Sequence, residues 1–418
     1  MTVRVTTLPN GMKVMTDSMD TVETVSLGVW TGVGSRNEVE AVNGISHVLE
    51  HMAFKGTARR NAQDIAEEIE DVGGHLNAYT SREATAYYAK VLKDDVPVAL
   101  DLVSDILQNA AMDPEELARE QSVIVQEINQ VEDTPDDIIF DHFQEAAYPD
   151  QALGRPVLGQ ADVVRGLDRE TIFGFLRRHY HAPAMVLAAA GRIDHEALVA
   201  DATTAFADLP DGQPAEAEAG AYAGGETRRD RALEQLHLIL GFESVRYDDP
   251  DFYAASVFST LLGGGMSSRL FQELREKRGL AYTVQAFSSA YTDTGLFGVY
   301  AGTGEKETPE LVSVLADEMQ KVADDVTEAE VRRARAQLKA SILMSLESTS
   351  ARCEQLARQV QVYGRPLPPE ELVEKLEAVD ATAVARVARR TFQSRPTLSA
   401  VGPTGGLESY DSLAARFG

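Results

Sequence analysis

The chain has 418 residues, 44% hydrophobic and 25% charged, which excludes bulk disorder and fibrous classes. With 66 acidic and 39 basic residues its formal charge is −27, so it lacks the basic excess that a nucleic-acid partner requires. No run approaches the roughly 18 consecutive apolar residues of a membrane helix. The opening residues, MTVRVTTLPNGMKV, carry neither an apolar signal core nor an Arg/Ser-rich transit stretch. We therefore expect a cytoplasmic protein with no nucleic-acid and no membrane partner. The one cysteine, Cys353, allows no intrachain disulfide and fits a reducing compartment.

In chain order, the first element with a clear signature is NGISHVLEHMAF, read as a helix. Asn61 then caps a helix with Ile65, Ile69 and Val72 on its apolar face, ended by Gly73 and Gly74. HLNAYTS and TAYYAKV follow as strands. Asp113, Pro114 and Glu116 begin a helix that runs through LAREQSVIVQEINQV. Residues 209–230, LPDGQPAEAEAGAYAGGETRRD, have no apolar periodicity and read as a linker. SSRLFQELREKRG reads as a helix with Leu270, Phe271 and Leu274 on one side, ended by Gly279. YTVQAFS is a strand, and Thr327 with Glu330 opens a helix of about 20 residues ending near Leu346. Cys353 falls in a helical stretch, ARCEQLARQV, as a small buried hydrophobe.

Two echoes link the halves. Glu68 aligns with Glu273 and Gly74 with Gly279, both offset by 205 residues. RRHYHAPAMVLAAAG matches RRTFQSRPTLSAVG with a one-residue gap. Recurrence in the same order predicts a duplicated domain. The expected fold is α+β: two similar domains, each a mostly antiparallel sheet packed with helices. They would span residues 1–208 and 231–418, joined by 209–230.

The chemistry concentrates at His47-Val48-Leu49-Glu50-His51. His47 and His51 are i,i+4 and project from the same helix face, a spacing that lets two imidazoles share one tetrahedral ion. Glu50 reaches the edge of that site, where a carboxylate can take a proton from water at the metal. The pattern is HxxEH, the inverse of HExxH. The bland alternative is two histidines satisfied by backbone carbonyls beside a surface charge. Glu127 borders the apolar face of its helix and is the candidate third ligand. Glu120, two turns earlier, could orient a ligand histidine from behind. Both also fit a solvated face in a Glu-rich chain.

HVLEHMAFKGT, followed by a carboxylate 76 residues after the second histidine, resembles the pitrilysin family of zinc metallopeptidases. TTLPNGMKV, GVGSRNE, GGHLNAYTSREATAYYAKV, GRPVLG, HLILGFE, GGGMSSRLFQELREKRGLAYTV and the ending VGP extend the resemblance nearly end to end. The resemblance implies His47, His51 and Glu127 as ligands of one zinc per chain, Glu50 as general base and Glu120 behind a ligand histidine. It implies that Arg275 and Tyr282 bind the peptide and stabilise its carbonyl as it becomes tetrahedral. By spacing alone these two are a helix-surface cation and a packed strand aromatic. His75, Asn77 and Tyr79 share one face of a strand on whose edge the family lays its substrate. They fit an ordinary strand equally well. GGGMSS is no phosphate loop, because no GK[ST] follows. The remaining histidines, 142, 179, 181, 195 and 237, lack metal spacing with a partner carboxylate and read as structural.

The expected function is therefore zinc-dependent endopeptidase action on peptides or unfolded segments inside a closed chamber; the acidic charge fits plain solubility, and alternatively a chamber that attracts basic peptides. Longer relatives build that chamber from four such domains, so a two-domain chain forms one half of a clam-shell. A homodimer is the simplest assembly and a heterodimer the alternative. A non-catalytic or partner-dependent subunit is the competing reading.

Overall fold

The computed structural model describes residues 2–213 and 215–417. The chain forms two compact units. The first draws on 1–129, 155–218 and 344–368 and the second on 130–154, 219–343 and 369–418.

The first unit is built on a six-stranded sheet. Its strands are β1 (Thr2–Thr7), β2 (Lys13–Ser18), β3 (Thr24–Thr31), β4 (His75–Thr80), β5 (Thr85–Leu92) and β6 (Met185–Gly191). The order is β1-β2-β6-β3-β5-β4, antiparallel except where β2 runs parallel to β6. Side chains alternate across each strand, so the sheet has two distinct faces. Val25, Leu27 and Val29 of β3 meet Tyr87 and Ala89 of β5 and the helices Ile45–Ala53 and Val96–Asn109 in the larger core. On the other face, Trp30, Ala86, Ala188 and Ala190 pack against Cys353, Leu356, Ala357 and Val360 of the helix Thr349–Tyr363. The small alanines let that helix lie close to the strands. Cys353 is fully buried there, as its helical setting predicts, and burial pushes its thiol well above the ordinary range.

The second unit repeats the plan. Its strands are β7 (Gly225–Asp230), β8 (Leu236–Glu243), β9 (Ala281–Ala290), β10 (Gly295–Thr303) and β11 (Thr397–Gly402), in the order β7-β11-β8-β10-β9. This is the β2-β6-β3-β5-β4 order over again, including the single parallel pair, here β7 with β11. Leu238, Leu240 and Phe242 face the main core, whereas Ile239, Tyr300 and Val401 face Ile139 and Phe143 of the helix Pro135–Ala147. The fold is α+β with a duplicated, largely antiparallel domain, as the echoes predict. Both echoes end on matching backbone: Gly191 and Gly402 sit at φ 127° and 126°, and Gly73 and Gly279 at 65° and 64°.

Three details differ from the sequence reading. Gly279 is matched in backbone by Gly73, not Gly74. The extra residue of offset falls beside Phe271–Lys277, which winds as π-helix, a form that holds one more residue per hydrogen-bonded turn. Residues 225–230, read as linker, form edge strand β7. It pairs through its backbone and leaves its side chains partly or fully exposed, so it shows no hydrophobic alternation. The compact units also do not follow one cut of the chain. Residues 130–154 belong to the second unit and 344–368 to the first, because each supplies the helix that covers the outer face of that unit's sheet. Among the described residues no helix is long and apolar enough to cross a membrane.

Candidate metal centre

The helix Ile45–Ala53 presents the HxxEH residues. Its N-cap, Gly44, stands at φ 97°, and a Cβ there would come within 2.9 Å of Gly159 Cα. With no side chain to cap the helix, Glu38 takes over. Its Oε2 accepts from Gly44 N at 2.7 Å and its Oε1 from Ser46 N at 2.8 Å. Asn43 Nδ2 donates to the same carboxylate at 2.9 Å. Burial pushes the Glu38 carboxyl up, and these hydrogen bonds pull against that rise. The helix is thus held rigidly at its first turn, one turn before His51.

His47 and His51 face the same way, their ring centroids 4.6 Å apart and tilted at 76°. Glu127, from the helix Pro114–Glu132, places Oε2 at 3.7 Å from His47 Nε2 and 3.6 Å from His51 Nε2. Two ligands on a tetrahedral zinc at about 2.0–2.2 Å stand roughly 3.3–3.6 Å apart. The three ligand atoms lie within 4.8 Å of one another, and no other trio of His, Cys, Asp or Glu among the described residues does so. The donor set therefore fits zinc, and three protein ligands leave a coordination position for a reactant. Burial and the neighbouring His51 hold the His47 imidazole down to about 4, so it is neutral and ready as a ligand near pH 7.

Glu120 lies behind His51. Its Oε2 is 2.9 Å from His51 Nδ1 and its Oε1 is 2.8 Å from Lys55 Nζ. Burial would raise this carboxyl, but the Lys55 and His51 hydrogen bonds outweigh it and hold Glu120 below its usual value. An ionised carboxylate at Nδ1 fixes the ring so that Nε2 offers its lone pair to the metal. Glu50 stands at the edge of the same group. Its Oε2 is buried without a hydrogen-bond partner among the described residues. Burial raises its pKa and the Glu127 charge adds to the rise, while the Thr80 hydroxyl and His51 oppose it. A half-buried carboxylate with one unpaired oxygen is suited to accept a proton.

The other candidates sit on other elements. Arg275 and Tyr282 are in the second unit, the former in the π-wound turn and the latter at the start of β9. The Arg275 guanidinium lies 4.4 Å from the Tyr282 ring centroid and 4.8 Å from that of Phe271, and its Nη1 donates to Tyr282 O at 3.0 Å. Tyr282 is 74% exposed, so this strand aromatic is not packed. His75, Asn77 and Tyr79 lie on β4, the edge strand next to the metal helix, but project to the opposite sheet face from Ala78 and the core. His75 and Asn77 are exposed. Asn77 Oδ1 accepts from Ala78 N at 2.8 Å. Tyr79 accepts from Trp30 Nε1 at 3.1 Å and donates to Glu354 at 3.2 Å. The sequence reading leaves out Glu38 and Lys55, which both support the metal helix. Lys55 follows His51 by four residues, one helical turn, which is the only local sign of its role.

A duplicated α+β fold with a His-His-Glu centre and an adjacent carboxylate defines a zinc metallopeptidase type. Residues 13–161 match the profile of Insulinase (Peptidase family M16) and residues 166–338 that of the Peptidase M16 inactive domain. A Rickettsia felis protein named an uncharacterized zinc protease is 40% identical, covering 95% of this chain and 96% of its own. The probable mitochondrial-processing peptidase subunit beta of Arabidopsis thaliana is 40% identical over 99% of this chain and 81% of its own. A structure of the peptidase M16 inactive domain from Pseudomonas fluorescens shares the fold at TM-score 0.90, with 21% identity, covering 98% of this chain and 100% of that one. The chain belongs to peptidase family M16, the pitrilysin family of zinc metallopeptidases.

Proposed function

We propose that the protein is a zinc-dependent endopeptidase acting on peptides or unfolded segments, with His47, His51 and Glu127 holding one zinc per chain. The observation that carries this reading is the meeting of those three ligand atoms beside the unpaired Glu50 oxygen. Zinc bound there supplies a Lewis acid, polarising a scissile carbonyl and making water more acidic. Glu50 takes the proton from the attacking water and returns it to the leaving amine. Glu120 keeps His51 in the ligating tautomer. Arg275 and Tyr282 bind the peptide and donate to its carbonyl oxygen as negative charge develops. The free edge of β4 pairs with the extended substrate main chain, giving affinity with loose sequence preference. The acidic chain favours basic peptides, and two copies enclose the chamber in the cytoplasm.

A second reading, a subunit that needs a different partner chain, is favoured by relatives named as subunit beta of a processing peptidase. One experiment separates them. Zinc content and cleavage of a fluorogenic basic peptide are measured for wild type and Glu50→Gln, with and without chelator. One zinc per chain and cleavage abolished by chelator or by the substitution support the endopeptidase. Zinc bound without cleavage by the wild type supports the partner-dependent subunit.

A further inference from the structure

The first unit contains a cavity of about 410 Å³ that the metal chemistry does not use. It lies on the sheet face opposite the helix Ile45–Ala53, among the outward-facing residues of β3, β4 and β5. The register explains why a space exists. Ala86 stands between Trp30 and Tyr79 in one cross-strand row, and Gly28 stands opposite Tyr88 in the next. Two minimal residues thus stand beside three aromatic ones. A Cβ on Gly28 would come within 2.6 Å of Tyr88 Cβ, so this part of the wall cannot be thickened. The helix Thr349–Tyr363 completes the enclosure with Ser350, Cys353 and Glu354.

The polar groups form a chain. Trp30 Nε1 donates to the Tyr79 hydroxyl at 3.1 Å, and that hydroxyl donates to Glu354 Oε1 at 3.2 Å. The Tyr79 and Tyr88 rings stand 6.2 Å apart at 57°, forming a corner of two π faces. Among the lining residues the one carboxylate is Glu354. Arg358 influences Tyr79 electrostatically but does not line the cavity. A carboxylate accepts further donors beyond the one from Tyr79, and an aromatic corner attracts positive charge through its ring quadrupoles. An anion would be repelled, and a neutral apolar guest would desolvate Glu354 without compensation.

We propose that this cavity binds an organic cation, an ammonium or guanidinium head on a short aliphatic stem, against Trp30, Tyr79, Tyr88 and Glu354. The head pairs with Glu354 and the stem lies along the rings. The same chemistry is offered by a free small amine and by an arginine or lysine side chain of a peptide.

Trp30 is the only tryptophan of the chain, so intrinsic fluorescence reports on this cavity directly. The zinc-loaded protein is titrated with n-butylguanidinium, with a blocked glycyl-arginyl-glycine and with neutral n-pentanol. We expect a saturable change with the cations and none with n-pentanol. Glu354→Gln, at an exposed helix position, should weaken the cation response about tenfold with the far-UV spectrum unchanged. Tyr88→Leu should weaken it as well. Tighter binding of the peptide than of n-butylguanidinium assigns the cavity to peptide side chains, and the reverse order assigns it to free amines. No saturable change, an equal response to n-pentanol, or an unaltered response in folded Glu354→Gln overturns the proposal. Fluorescence does not depend on turnover, so the result stands apart from the peptidase reading.

Discussion

His51 Nδ1 stands 2.9 Å from Glu120 Oε2, and the same carboxylate holds Lys55 through its other oxygen at 2.8 Å. One side chain thus connects the second histidine of the metal motif to the lysine one turn beyond it. Glu120→Gln keeps the shape and removes the charge that makes the imidazole a strong donor. Zinc affinity, measured by competition with a chelator, should fall about 10–100-fold. An unchanged affinity would mean that Glu120 serves Lys55 alone.

Glu38 acts earlier in the same helix. Three donors, from Gly44, Ser46 and Asn43, converge on its buried carboxylate. Glu38→Ala strands these donors away from water, and urea unfolding should show a loss of about 2–4 kcal/mol. Zinc should restore part of it by binding only the folded state. A loss below about 0.5 kcal/mol would show that the helix start does not depend on this cap.

Asp105 is the most enclosed carboxylate of the first unit's ion-pair network, its side chain 0% exposed. It meets Arg60 Nη1 at 2.7 Å, Thr57 Oγ1 at 2.8 Å and Asn109 Nδ2 at 3.0 Å. Asp105→Ala leaves Arg60 paired with the more exposed Glu68 and Asp101 and strands Thr57 and Asn109, and should cost about 1–3 kcal/mol in chemical denaturation. Replacing exposed Glu170, whose pair with Arg177 lies in water, should change stability by less than about 1 kcal/mol.

His179 provides the pH dependence. Its ring lies 4.5 Å from that of Phe175 and its Nδ1 is buried without a partner among the described residues. Burial, then the charges of Arg178 and His181, hold it down to about 4. The unfolded chain binds this proton near pH 6.5, before the folded chain does. The contribution of His179 is therefore present above pH 6.5 and lost as pH falls toward 4, by up to about 3 kcal/mol. His179→Leu should flatten the difference between unfolding free energies at pH 7 and pH 4.5. An identical slope in the variant would refute a neutral buried His179.

The legible parts of the sequence are those with a local period or cap. Asp113 caps its helix, accepting from Glu115 N at 2.8 Å, and Thr327 and Glu330 form their reciprocal box. By its own spacing Glu127 reads only as a carboxylate beside an apolar helix face, and it is the family resemblance that joins it to His47 and His51, because their meeting is a tertiary fact. Strand β7 is not legible in the sequence, because a half-exposed edge strand carries no hydrophobic alternation. The face on which Tyr79 projects follows from alternation along β4, but what covers that face does not. The covering helix comes from 275 residues further along the chain.

The placement of two helices bears on synthesis. The first unit's sheet is translated by Gly191, yet the helix that covers its outer face is Thr349–Tyr363. At roughly 5–20 residues per second, the stretch between Glu218 and Met344 takes about 6–25 s to emerge. Throughout that interval Trp30, Ala188 and Ala190 have no native cover, and the nascent metal-binding unit waits for its own roof. A fragment ending in residues 209–224 would carry the complete metal motif and still lack that cover. It should depend on the remainder of the chain, supplied in trans, to become stable.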